Sequence, residues 1–139
     1  MSQFTSPAVS QTLHIGRGRT GLIALWTAQL VLAGMFLLAG GSKLAGVPAM
    51  VALFDAIGVG QWFRYVTGLI EVGSAVALLV PALAPFGAIA LVATMAGAIL
   101  THLFVVGGSP AVPVILFIGS LLVAWARRDQ ISSALSRVR

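Results

Sequence analysis

The sequence has no cysteine, three acidic residues and only 8% charged residues of either sign. Without cysteine the chain can form no disulfide, no thiolate metal site and no thiol redox couple. The two histidines and three acids show no metal-ligand spacing, so no metal is expected. The scarcity of charge excludes a water-facing surface, because soluble domains carry about 25% charged residues. The eight basic residues give a net charge of +5, but they collect near the chain ends rather than in a patch with interleaved aromatics. Nucleic acid is therefore not an expected partner.

What the sequence has instead is apolar length: 59% of its 139 residues are hydrophobic. That places it in a bilayer, as a one-domain, all-α, polytopic membrane protein. Four transmembrane helices are expected, over about residues 21–42, 64–80, 84–106 and 111–126. The second and fourth reach only about 25 Å at 1.5 Å per residue, the short end for a crossing. The first stretch is longer than a secretory signal core and reads as an uncleaved span, with cleavage after Ala39 or Gly41 as the alternative. Residues 1–20 are polar and lack hydrophobic periodicity, which predicts a flexible tail, and 128–139 read as a second, basic tail. No internal repeat suggests a duplicated transporter fold.

Pro81, Pro85 and Pro110 mark short connections, so neighbouring spans must run antiparallel. The 44–63 connection differs. Pro48 suits a first helical turn, Met50, Leu53, Phe54 and Ile57 recur at i, i+3, i+4 and i+7, and Gly58 follows. A short amphipathic helix over about 48–58 is expected in the membrane interface with Asp55 outward, and Trp62 and Tyr65 read as interfacial anchors. Arg17, Arg19, Arg127, Arg128, Arg137 and Arg139 fall on one side and Lys43 and Arg64 on the other. The positive-inside rule then places both termini in the cytoplasm, with the protein in the cell (inner) membrane. The terminal "ARRDQ" reads as a topology signal and anionic-lipid anchor.

This topology brings Lys43, Glu71 and His102, from three spans, into the outer half of the membrane. A charge deep in a bilayer costs at least about 2.5–3.5 kcal/mol, so Glu71 should face inward and take a cation. Lys43 is the first candidate partner and Arg64 the second, with His102 completing a Lys–Glu–His cluster. Gln29 lies on the same stripe of span one as Ala33, Phe36, Gly40 and Lys43 and should also face inward, as an interhelical hydrogen bond in the simpler reading or as part of the polar cluster in the other. Small residues support close helix approach: Gly68 and Ala75 beside Glu71, and an Ala90–Thr94–Ala98 ridge leading to His102. Two readings of the cluster stay open: a site for a small polar or amphiphilic molecule, or a polar clasp that sets helix register.

The segments "LLAGGSKLAGVP", "GLIEVGSAVALLVP" and "AIALVATMAGAILTHLF" resemble the DoxX-like family of small four-helix membrane proteins. The resemblance runs from about residue 30 to 127 and rests most on Gly40–Leu44, Gly68–Glu71 and His102. It implies a four-helix membrane fold with the polar motif residues turned inward. Function in the family is diverse. The resemblance admits a non-catalytic accessory or assembly subunit with a protein partner or a second copy. It also admits a membrane subunit of a thiosulfate:quinone oxidoreductase-like system, whose quinone cofactor His102 or Lys43 would hydrogen-bond. The third reading, a small oligomeric transporter, comes from the four-span topology instead. Whether the protein is an enzyme stays open at this level.

Overall fold

The structure is a computed structural model that describes residues 18–136. The expected N-terminal tail, apart from its last residues, and the end of the C-terminal tail, with Arg17, Arg137 and Arg139, lie outside the described residues. Within them the protein is all helical, in the order α1 Arg19–Leu44, α2 Pro48–Ile57, α3 Gln61–Leu79, α4 Ala84–Thr101, a π-helical turn His102–Val106, α5 Ala111–Ala126 and α6 Arg128–Ser136.

The boundaries follow from local chemistry. Pro48 opens α2, where its missing N–H would have had no partner. Gly58 ends α2 in the left-handed conformation at φ +78°, donating its N–H to the carbonyls of Phe54 and Asp55. Pro85 sits in the first turn of α4. At the far end of α4 the helix widens into the π turn and stops at Gly107, φ +76°.

Two expected boundaries differ. Helix α3 starts at Gln61, so its 19 residues span about 28 Å and the second span is not short. Residues Arg128–Ser136, read from sequence as tail, form α6, which turns 54° away from α5. Three helices are long and apolar enough to cross a membrane: α1, α3, and α4 continued through the π turn to Val106. Helix α5 meets that length only together with α6.

Helix α1 packs on α3, α3 on α4 and α4 on α5, while α5 closes more loosely on α1. The core between them holds Phe36, Ala75, Leu78, Leu91 and Val123. Away from the core the helices present large apolar side chains: Leu38 is 78% and Phe104 80% exposed. Such a surface suits lipid, not water.

Without a hydrophobic drive between helices in lipid, their association depends on close packing at small residues. The closest approaches are at glycines. A Cβ on Gly40 would lie 2.9 Å from the Gly68 carbonyl oxygen and 2.8 Å from Val72 Cγ2. One on Gly87 would lie 2.7 Å from the Ser74 carbonyl oxygen and 2.9 Å from Ala77 Cβ. The close contact of α4 with α3 is therefore at Gly87, whereas the Ala90–Thr94–Ala98 ridge is only half-buried. Gly87→Ala should lower the thermal unfolding temperature in detergent, at a cost of about 1–3 kcal/mol. Gly73→Ala, where a Cβ meets nothing within 4 Å, should leave it unchanged or raise it.

Candidate functional site

Helices α1 and α3 run antiparallel, with Gln29 level with Leu78 and Gly40 level with Gly68 and Glu71. In a helix each Cα–Cβ bond tilts toward the N-terminus. Lys43 near the end of α1 therefore leans down into the bundle, and Glu71 on α3 leans up toward it. Lys43 Nζ donates to Glu71 Oε2 at 2.7 Å, with the Glu71 side chain 2% and the Lys43 side chain 12% exposed. The glycine three residues before each charge lets the two backbones close to that distance. The expected first partner of Glu71 is the observed one.

Arg64 does not take that role. It is buried, but its Nε donates to Gln61 Oε1 at 2.6 Å and its Nη1 to the Lys43 carbonyl, while its guanidinium stacks on Tyr65, 4.2 Å from the ring centre. Gln61 in turn donates to Asp55 Oδ1 at 2.7 Å and to the Val51 carbonyl at 2.9 Å. Asp55 points outward, as expected, and this polar chain ties α2 to the end of α1.

Beneath α2 lies a cavity of about 580 Å³. Lys43, Glu71 and His102 all border it, with the apolar face of α2, Met50, Leu53, Phe54 and Ile57, on one side. His102 begins the π turn, and its Nδ1 donates to the Ala98 carbonyl at 2.9 Å. A carbonyl only accepts, so Nδ1 carries a proton and Nε2 is left for another partner. The three side chains thus share one space, with His102 bordering it rather than joining the ion pair.

Gln29 is elsewhere. It faces inward as its stripe predicts and is fully buried, but it lies 14 residues from Lys43, about 21 Å along α1. There its Nε2 donates to the Leu78 carbonyl at 2.6 Å, and its Oε1 accepts from Arg127 Nε at 3.0 Å and Nη2 at 2.7 Å. Arg127 is 4% exposed, also donates to Gln130 Oε1 at 3.2 Å, and lies 5.5 Å from the Trp26 ring centre. It acts inside the bundle, not as a lipid anchor. The sequence contains the signal, a glutamine near the start of span one and an arginine at the end of span four on the same side, but the neighbouring arginines made Arg127 read as surface charge.

A family model described as the DoxX-like family matches residues 27–127. The chain belongs to the DoxX-like family. No curated protein and no solved structure gives a match. The match runs over Gln29, Lys43, Glu71, His102 and Arg127.

Two experiments separate the two polar groups. Lys43→Met alone should destabilise the protein by about 3–5 kcal/mol, because it strands a buried carboxylate, whereas Lys43→Met with Glu71→Leu should recover most of that loss. Unfolding titrations in mixed micelles measure both. Gln29→Leu and Arg127→Met should couple by about 0.5–3 kcal/mol in a double-mutant cycle, and neither should couple to Lys43→Met.

Proposed function

We propose that this DoxX-like membrane protein is a non-catalytic module that binds one small, mostly apolar molecule with a polar head in the cavity under α2. The observation that carries this is the cavity itself: about 580 Å³, walled by apolar side chains, with Lys43, Glu71 and His102 gathered on its border. Ligand sites are commonly concave spaces of about 300–1,000 Å³ with few, convergent polar groups. A clasp alone would need the Lys43–Glu71 contact and no space beside it.

The direct ion pair favours holding over proton transfer. Each charge is already neutralised by the other at 2.7 Å, so Glu71 contributes a fixed acceptor and Lys43 a fixed donor. Such a module suits an accessory or assembly subunit of a membrane complex, with a protein partner or a second copy. A quinone-linked redox role would use the same cavity and is the second reading, supported by His102 Nε2 and the remaining Lys43 N–H groups as hydrogen-bonding atoms at its border.

We place the protein in the cell membrane with four spans, α1, α3, α4 with its π turn, and α5, and with α6 turned along the cytoplasmic surface. The short α5, 16 residues or about 24 Å, is accommodated by that turn. Arg19, Arg127 and Arg128 at one end of the bundle support a cytoplasmic position for both termini.

Gly97 borders the cavity, and a Cβ there meets nothing within 4 Å, so Gly97→Trp should plug the space without disturbing the backbone. Protein extracted in mild detergent should carry a small molecule, detected by native mass spectrometry, at close to one per chain in the wild type and not in Gly97→Trp. Equal retention by both proteins, or none by either, would count against the binding reading.

A further inference from the structure

The hydrogen atoms around the cavity are unevenly distributed, and that asymmetry selects a class of ligand. Ser42, Thr67, Thr94 and Thr101 border the space, and each hydroxyl donates to a carbonyl of its own helix: Ser42 to Ala39, Thr67 to Phe63, Thr94 to Ala90 and Thr101 to Gly97, all at 2.8 Å. His102 Nδ1 does the same with Ala98 at 2.9 Å. Because a carbonyl oxygen can only accept, each of these groups has spent its proton on the backbone. Four hydroxyl oxygens and, in the neutral ring, His102 Nε2 are left with lone pairs only.

Glu71 adds to the same side. Its Oε2 accepts from Lys43, and its Oε1 has no hydrogen-bond partner among the described residues, yet it is not among their sealed, unsatisfied buried atoms. It therefore keeps an accessible edge. Against these six acceptors, the side chains lining the cavity supply one donor group, the Lys43 ammonium, and one of its N–H groups is already held by Glu71.

We propose that the ligand carries hydrogen-bond donors: a hydroxylated apolar molecule, a phenol or an alcohol, whose O–H is read by Glu71 Oε1 and its neighbouring acceptors. This rests on the cavity being a binding site. An apolar molecule whose head offers only acceptors, an ether or a ketone, would supply no donor to any of the six, Glu71 Oε1 included, and would compete for one ammonium. A site built to pair a hydroxyl rejects the analogue that lacks it, because its own polar groups are then stranded.

The test uses the full chain in lipid nanodiscs and a matched pair of probes, 4-nonylphenol and its methyl ether 4-nonylanisole, with partitioning into empty nanodiscs subtracted. The phenol should bind about ten-fold tighter than the ether, the difference one hydrogen bond to a charged acceptor makes. Its binding should be lost in Gly97→Trp. Glu71→Gln, which puts an amide in place of a carboxylate, should narrow the gap. Since that change also breaks the ion pair and could prevent folding, Thr94→Val, which removes only a hydroxyl, serves as the second variant and should narrow it too. Equal binding of both probes, tighter binding of the ether, or an unchanged gap in every folded variant would overturn the donor inference while leaving the binding site intact. Failure of both probes to bind in a manner sensitive to Gly97→Trp would overturn the binding reading and this inference with it.

Discussion

A buried Lys43–Glu71 pair at 2.7 Å sets the conditions for the rest of this bundle. A charge left unpaired at that depth is costly, so each holds the other in place. The pair forms because Gly40 and Gly68 remove the side chains that would hold the two backbones apart, and because antiparallel helices aim these Cβ atoms at each other. Gly-x-x-Lys on α1 and Gly-x-x-Glu on α3 are thus two halves of one contact. A buried ion pair adds little net stability over a well-packed apolar pair, but it penalises every wrong register. Its place here is to fix one end of α1 against α3 with both side chains on the border of the cavity.

The other end of the bundle is held by different chemistry. Gln29 bridges the carbonyl of Leu78 on α3 and the guanidinium of Arg127 at the end of α5, so one side chain joins three elements. Gly87 sets α4 against α3 at this same end, beside Ser74, Ala77 and Leu78, so the bundle is fixed near both ends. The cavity occupies the part of the interior that α2 covers and the four bundle helices do not fill. The chain Asp55–Gln61–Arg64 holds α2 there by side-chain hydrogen bonds, together with Phe54, which is buried with its ring against Phe63.

Much of this was legible in the sequence because membranes make depth countable. Apolar runs located the bundle helices, proline and glycine located their ends, and counting residues from those ends put Lys43, Glu71 and His102 at one level. What counting could not supply was direction around the helix combined with distance along it. Gln29 makes the interhelical hydrogen bond its stripe suggests, to Leu78, but the stripe does not name the partner or separate it from Lys43, about 21 Å away. Arg64 was legible as inward-reaching, but not that a backbone carbonyl and Gln61 would take it. Arg127 was hidden by resembling its neighbours. Helix α6 is short and polar on average, so it resembles a tail in sequence, and it lies against α4 and α5 in the fold.

The sequence contains one lysine and one glutamate, so amino-acid labelling reports the central contact without ambiguity. Solid-state NMR on protein reconstituted in bilayers, with ¹⁵N-lysine and ¹³C-glutamate, measures the dipolar coupling between Lys43 Nζ and Glu71 Cδ directly. Strong dephasing is expected, corresponding to a hydrogen-bonded N–O contact of 2.7 Å. An absence of dephasing in folded protein would mean that the pair does not form in the membrane and that α1 and α3 are held together by other contacts.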